Sequence, residues 1–373
     1  MAASGAQYVL QAGLAAGMSA TEGIHSPHPK PVDPAKAEAP QMLPADVKVD
    51  IHSRITLRGA KEDVSIPFMC IGAWPWGDKA TFQFNYTEDY PKVEEAWETL
   101  KKAGLTFVDT SQAYGDGDSE RICAQLFKGM PRDSFVIQTK WLSWPDMSNF
   151  LMQSHGPVVK LRNSLKNLEL DYVDIYMVDG PIHPTMFSTV AKGMAECVHQ
   201  GLTKAVGVTN YDKGDVIKMS DALEKLGVPL AVNQCEYSIV RRHPEISGLI
   251  RECRKRNIVF QGYASLANGR LSGKYSRTNE PRRTYRFSSY PMHYLEPTIS
   301  VLNSISQERR VPIPAVALNY CINKGVVPLV GIRNPEQAEQ NLQALGWRLT
   351  PDEIKKIETV SMEGYTTFLW QHG

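Results

Sequence analysis

Asp109, Tyr114 and Lys140 are the residue types from which a proton donor can be built. A tyrosine hydroxyl has an unperturbed pKa near ~10 and is therefore a weak acid at neutral pH. A neighbouring ammonium group favours the phenolate, so we expect Lys140 to lower the pKa of Tyr114. An aspartate would hold the lysine in place and balance its charge. These three side chains predict general-acid chemistry with Tyr114 as the donor.

The chain supplies the elements that would bring these residues together, because short apolar segments alternate with amphipathic ones. The apolar segments are typical of buried strands, and most are followed by residues with helical periodicity. Eight such strand–helix units predict an α/β fold, the (β/α)8 TIM barrel, in which chemistry collects at the loops that follow the strands. A doubly wound sheet is disfavoured because no complete Gly-rich turn follows an early strand. The predicted strands are 68–72, 105–109, 134–139, 172–178, 204–208, 230–234, 258–262 and 326–330, and the predicted helices are 92–103, 158–168, 185–200, 212–226, 245–256, 297–308 and 336–345.

The charge and hydropathy of the chain exclude several classes of partner. Its 373 residues contain 41 Lys and Arg against 40 Asp and Glu, a net charge of +1 with His neutral. This balance argues against nucleic acid or an anionic membrane surface as a partner. The mean hydropathy is −0.30, and no apolar run approaches the ~18 residues of a membrane span. We expect a small-molecule substrate, and the oligomeric state stays open.

The six cysteines are scattered, with neither a C-x-x-C pair nor Cys/His metal spacing. We therefore expect no disulfide framework and no metal site, and a reducing compartment such as the cytoplasm.

Residues 1–50 differ in composition from the rest of the chain. They are rich in Ala, Gly and Pro and lack the basic residues of a secretory or mitochondrial leader. We interpret them as a flexible extension, and residues 51–373 as the barrel with its C-terminal tail.

Six segments, in order along the chain, resemble motifs of the aldo-keto reductase family. Residues 107–120, FVDTSQAYGDGDSE, resemble the family's strand-end aspartate followed by its catalytic tyrosine, and QTK at 138–140 matches the strand that carries its lysine. GVTNY at 207–211 and NQCEYS at 233–238 match its nicotinamide-binding strands. GYASLANGRLSGKY at 262–275 and PLVGIRNPEQAEQN at 328–341 resemble its pyrophosphate and adenosine sites.

This resemblance implies NADP(H) as the cofactor. Thr209, Asn210 and Gln234 would hold the nicotinamide carboxamide, and Tyr263 would stack on the ring. Arg333 would face the 2′-phosphate, because the fork of a guanidinium suits bidentate binding of phosphate. The remaining implied cofactor contacts are Leu266, Asn268, Gly269, Leu271, Gly273, Lys274, Gly331, Gln337 and Asn341, the last two near the adenine.

Aromatic residues are the candidate substrate contacts. We expect Trp74, Trp76 and Trp141 to form apolar walls of the pocket. Because apolar tails in this family often fold over the pocket mouth, Phe368 and Trp370 are further candidates.

The sequence departs from the family at the fourth catalytic position, where Asp179-Gly180 replaces the usual His-Trp. An ionised Asp cannot donate a hydrogen bond. With Asp109 and Lys140 nearby, a confined site favours one protonated carboxyl, and a protonated Asp179 can donate as in an oxyanion hole. We expect Gly180 to widen the pocket, and we keep His183 as an alternative donor.

Three functions therefore stay open. The favoured one is an NADPH-dependent reductase of a carbonyl or conjugated enone. The second is a specialised biosynthetic enzyme with non-standard chemistry at Asp179, and the third is a non-enzymatic cofactor sensor or scaffold.

Overall fold

Eight parallel strands form a closed barrel in which neighbours along the chain are also neighbours in space. The computed structural model describes residues 30–32, 43–44, 46–143, 151–183, 185–281, 290–367 and 370–373. Strand β10 pairs with β3 and closes the ring, which confirms the predicted (β/α)8 barrel. The barrel strands are β3 Cys70–Gly72, β4 Phe107–Asp109, β5 Val136–Leu142, β6 Val173–Asp179, β7 Thr203–Thr209, β8 Leu230–Glu236, β9 Val259–Tyr263 and β10 Val327–Gly331.

A hairpin packs on the end of the barrel where the strands begin. It consists of β1 Arg54–Leu57 and β2 Val64–Pro67. Its Leu57 and Ile66 are fully buried against interior side chains that include Phe107, the first residue of β4. Because this end is apolar and closed, the polar interior positions lie toward the ends of the strands, as the fold requires for a site.

The helices surround the barrel, and most of them bury one apolar face. In α1, Val93, Ala96, Trp97 and Leu100 form the buried stripe at helical spacing. The described helices are α1 Tyr86–Ala103, α2 Asp118–Phe127, α3 Gly156–Leu168, α4 Phe187–His199, α5 Lys213–Glu224, α6 His243–Ile246, α7 Leu249–Lys255, α8 Met292–Arg309, α9 Ile313–Asn323, α10 Pro335–Leu342 and α11 Pro351–Thr359. Short 3-10 turns cover Tyr114–Gly117, Arg132–Ser134, Gln153–His155 and Arg270–Ser272.

Two groups of helices differ from the prediction. The predicted helix 245–256 is divided in two, because Gly248 adopts the left-handed conformation with φ 76°. Helices α2, α9 and α11 were not predicted. Helix α9 is buried on nearly all sides, so its sequence lacks the alternation of apolar and polar faces that signals a helix.

Described parts of the predicted N-terminal extension contact the barrel. Pro31 forms a bridge with Met362, and Lys30 pairs with Glu363 at 2.9 Å.

All six cysteines of the chain are buried and unpaired. Among the residues that the structure describes, no helix combines the length and the apolar character needed to cross a lipid bilayer.

Candidate active site

The predicted proton-donor set, which consists of Asp109, Tyr114 and Lys140, lies together at the end of the barrel where the strands end. Lys140 Nζ lies 2.7 Å from Asp109 Oδ2 and donates to Tyr114 Oη at 2.9 Å. A third hydrogen bond reaches the Thr110 carbonyl at 3.0 Å, so all three ammonium protons have acceptors. The side chains of Lys140 and Asp109 are 1% and 4% exposed. The charged pair is therefore shielded from water, whereas Tyr114 is partly exposed.

A tight turn after β4 positions Tyr114. Gly115 has φ 58°, and a Cβ atom there would lie 2.6 Å from the Gly77 carbonyl oxygen, so the turn requires glycine. The Tyr114 ring stacks on Trp74, with the centroids 5.4 Å apart and the planes 11° from parallel. The Trp74 indole nitrogen donates to Asp78 Oδ2 at 2.7 Å. Trp74 thus lies beside the phenol, where a pocket wall was predicted.

The pKa shifts of the set differ from the sequence-based expectation. Burial raises the pKa of Tyr114 above its usual value, and this exceeds the opposing effect of Lys140. Burial also acts to lower the pKa of Lys140, but the charge and the hydrogen bond of Asp109 act in the opposite direction and the net shift is upward. At neutral pH the set therefore contains a protonated phenol and an ammonium, which is the proton-donating state.

A layer of three glutamines holds Asp109, and only Gln234 among them was a predicted site residue. Gln138 Nε2 donates to Asp109 Oδ1 at 2.6 Å, and Gln234 Nε2 donates to the same oxygen at 3.1 Å. Gln261 accepts from both glutamines, at 2.9 and 3.0 Å. A polar residue at an inward position of an otherwise apolar strand was the available signal.

Asp179 ends β6 inside the same cluster. Its Oδ1 accepts from Thr209 Oγ1 at 3.0 Å, and its Oδ2 accepts from Ser111 Oγ at 3.5 Å. Burial raises the pKa of Asp179, with the Asp109 charge acting in the same direction, while Lys140 and the two hydroxyl donors oppose the shift. The environment thus favours the neutral acid more than water does, as the sequence analysis expected.

Gly180 does not widen the pocket, contrary to expectation. It adopts φ 94°, and a Cβ atom there would lie 2.6 Å from Cζ3 and 2.8 Å from Cη2 of Trp370. The indole of Trp370 therefore fills the space beside the Gly180 backbone. A side chain from the C-terminal segment therefore occupies the space that a side chain at residue 180 would need.

His183 lies beside the site but both of its ring nitrogens have protein partners. Nδ1 is 2.9 Å from the Thr185 carbonyl oxygen, and Nε2 is 3.1 Å from Tyr211 Oη. Burial lowers its pKa. A neutral ring held in this way packs against Phe187 and Tyr211 and does not contact the proton-donor set.

Two predicted pocket-wall residues lie in the core instead. Trp76 is fully buried and its indole nitrogen donates to the Ile332 carbonyl at 2.7 Å. Trp141 is 1% exposed and packs in the core cluster, because it follows the inward-pointing Lys140 and side chains alternate along a strand. Phe368 lies outside the described residues.

The predicted carboxamide ligands lie on neighbouring strand ends. Thr209 Oγ1 accepts from the Gly180 amide at 2.7 Å, Gln234 is bonded to Asp109, and Asn210 Oδ1 accepts from Tyr263 Oη at 2.9 Å. Asn210 has φ 61°, a left-handed conformation that asparagine tolerates.

The loop after β9 has an irregular backbone. Positive φ angles occur at Ala264, Ala267, Asn268, Gly269 and Gly273. Leu271 is fully buried beneath the loop, and a Cβ atom at Gly273 would lie 2.6 Å from Ile313 Cδ1. Left-handed conformations at alanine are costly and cluster at binding sites.

The end of β10 leads into the remaining predicted cofactor residues. Gly331 ends the strand, and the Arg333 amide donates to Gln337 Oε1 at 2.8 Å. The Arg333 guanidinium is 37% exposed and lies 3.5 Å from Asp89. Asn341, one turn beyond Gln337 on α10, is buried.

Comparison with known proteins agrees with this architecture. Residues 68–361 match the model of the Aldo/keto reductase family. The chain is 31% identical to the chloroplastic pyridoxal reductase of Arabidopsis thaliana, over 80% of this chain and 84% of that protein. It is 26% identical to L-glyceraldehyde 3-phosphate reductase of Escherichia coli, over 83% of this chain and 93% of that protein. An aldo-keto reductase from Klebsiella pneumoniae, solved in complex with NADPH, has the same fold, with a TM-score of 0.63, 21% identity and coverage of 83% and 95% of the two chains. The chain described here belongs to the aldo/keto reductase family.

Proposed function

We propose that this protein is an NADP(H)-dependent oxidoreductase that reduces a carbonyl or conjugated enone of a small molecule. The observation that carries the proposal is the buried contact of Lys140 Nζ with both Asp109 Oδ2 and Tyr114 Oη. A structural ion pair would not need a phenol at its solvent end, whereas a proton donor does.

The chemistry of the residues present fits a bound dinucleotide. Positive φ angles within residues 264–273 are the kind of backbone strain that clusters at ligand-binding sites. The half-exposed guanidinium of Arg333 suits a phosphate. The cofactor complex of the Klebsiella pneumoniae protein supports this assignment by analogy.

The residues of the site would act on a substrate oxygen placed near Tyr114. The bound cofactor supplies a hydride to the substrate carbon. Tyr114 Oη transfers its proton to the oxygen that gains negative charge, so that the carbonyl becomes an alcohol. Lys140 stabilises the phenolate that remains, and Asp109 keeps the ammonium in place. Proton uptake from water then restores Tyr114.

The direct test is a titration of the purified protein with NADPH and with NADH, followed by its tryptophan fluorescence. We expect NADPH to bind more tightly. Oxidation of NADPH is then measured with a panel of aldehydes, quinones and enones. Absence of dinucleotide binding would contradict the proposal, and tight binding without turnover across the panel would favour a sensor or scaffold instead.

The Arg333→Ala variant tests the phosphate contact. Charged hydrogen bonds contribute about 1.5–3 kcal/mol, so we expect the Kd for NADPH to rise about 10- to 100-fold. The Kd for NADH, which lacks the 2′-phosphate, should change little. Arg121→Ala is the matched control, because Arg121 pairs with Asp118 on the surface of α2. An equal loss for both dinucleotides would contradict the assignment.

A second candidate function is an enzyme with non-standard chemistry, in which the neutral carboxyl of Asp179 acts as the acid. This carboxyl is buried between Ser111 and Thr209. If its neutral form donates to the substrate, wild-type kcat/KM should fall as the pH rises through the raised pKa of Asp179. The Asp179→Asn variant keeps an N–H donor at every pH, so this fall should disappear. The measurement is kcat/KM as a function of pH for the wild type and for Asp179→Asn. If both proteins show the same profile, Asp179 is not the acid.

A further inference from the structure

The C-terminal segment, residues 370–373, lies against the ends of β8 and β9 and is bound there by Arg241. Arg241 is fully buried. Its Nη1 donates to the Glu236 carbonyl at 2.6 Å, its Nε donates to the Tyr365 carbonyl at 3.1 Å, and its Nη2 donates to the Gly373 carbonyl. Arg241 therefore links the last residue of the segment to the end of β8 and to Tyr365, which precedes the segment.

Gln371 is the residue of this segment that faces the barrel. It is fully buried, and its Nε2 donates both to Glu236 Oε2 and to Tyr263 Oη, the latter at 3.1 Å. Tyr263 Oη in turn donates to Asn210 Oδ1 at 2.9 Å. Glu236, Gln371, Tyr263 and Asn210 thus form a continuous chain of hydrogen bonds, which we call the 371 relay.

The direction of the 371 relay is fixed by chemistry. An ionised carboxylate only accepts, so Glu236 requires the amide nitrogen of Gln371 to face it. That nitrogen also donates to Tyr263, so the Tyr263 hydroxyl proton points at Asn210 Oδ1. The Asn210 side chain consequently keeps its Nδ2 group as a donor for another partner.

Gln371 also carries an acceptor that the fold does not use. Its Oε1 is buried and has no hydrogen-bond partner among the residues that the structure describes. An unpaired buried acceptor costs about 1–3 kcal/mol, so a side chain placed only for stability would not adopt this arrangement. Its position next to Tyr263 and Asn210 points to a role in ligand binding.

We propose that Gln371 is a positioning residue of the cofactor site, acting through the Tyr263 hydroxyl. This inference rests on the proposed function, in which Tyr263 stacks on the nicotinamide and Asn210 binds its carboxamide. Gln371 holds the Tyr263 ring in place and sets the orientation of the Asn210 amide, so that Nδ2 faces the carboxamide oxygen. A segment far away in the sequence thereby completes the nicotinamide site.

The test is a double-mutant cycle on NADPH affinity in the full-length protein. Gln371→Met keeps the length of the side chain but removes its hydrogen bonds, and we expect the Kd to rise about tenfold, the equivalent of about one hydrogen bond. Tyr263→Phe removes the hydroxyl and should have a similar effect. In the Tyr263→Phe background, Gln371→Met should change the Kd less than twofold, because the hydroxyl through which Gln371 acts is already absent.

Controls separate this role from a general effect on folding. His372→Ala breaks the neighbouring pair with Asp215 and should leave the Kd within twofold of the wild type. Gln371→Asn, which is too short to reach both partners, should reproduce the effect of Gln371→Met if the latter variant folds poorly.

The possible outcomes are distinct. Independent, multiplicative effects of the two substitutions, or an equal loss in His372→Ala, would overturn the positioning role. Unchanged binding in Gln371→Met would do the same while leaving the proposed function intact. Failure of the wild type to bind NADPH would instead contradict the proposed function.

Discussion

Tyr114→Phe is expected to lower kcat by about 10²- to 10⁴-fold, the range that a positioned general acid contributes. The variant loses only the hydroxyl that Lys140 contacts, while the ring can still stack on Trp74. The Kd for NADPH should therefore stay close to that of the wild type. Steady-state kinetics with the best substrate of the panel, together with fluorescence titration of NADPH, measures both quantities.

The matched control is Tyr86→Phe. Tyr86 also stacks on an aromatic neighbour, Tyr90, and its hydroxyl donates to Gln125, but it lies on the surface of the protein. Its substitution should leave kcat unchanged. If Tyr114→Phe retained most of the wild-type activity, Tyr114 would not be the proton donor and the proposed mechanism would be wrong.

Lys140→Met should lower both the activity and the stability of the protein. Removal of the ammonium leaves the Asp109 carboxylate buried without its charged partner, and breaking such a pair costs about 3–5 kcal/mol. The loss of activity has a separate cause, because the phenolate formed at Tyr114 is no longer stabilised by a positive charge. Urea denaturation gives the free energy of unfolding, and the NADPH assay gives kcat.

A second substitution distinguishes the loss of the pair from the loss of packing. Adding Asp109→Asn to Lys140→Met removes the uncompensated charge, so the double variant should be more stable than Lys140→Met alone. Lys101→Met is the surface control, because the exposed pair of Lys101 with Glu98 contributes about 0–1 kcal/mol. Equal stability of the single and double variants would show that Asp109 is not a buried, ionised partner.

The sequence by itself predicted the barrel and the contact of Lys140 with Asp109 and Tyr114. Strands such as β6 and β8 are buried along their whole length, and the apolar residues in them can be recognised locally. Asp109 and Lys140 lie toward the ends of neighbouring strands, and the parallel order of a barrel brings such ends to one side. The start of helix α11 could also have been predicted from the sequence, because Thr350 and Glu353 have the spacing of a capping box and form one.

The tertiary structure alone decided how the pocket is lined. Trp74, Trp76 and Trp141 are the same residue type near strand ends, yet only Trp74 stacks on Tyr114 while the others are core residues. The contacts of Gly180 with Trp370 and of Tyr263 with Gln371 join segments far apart in the chain. Local sequence patterns report which face of an element is buried. They do not report which distant side chain fills the space beside it, because that depends on how the packed elements meet.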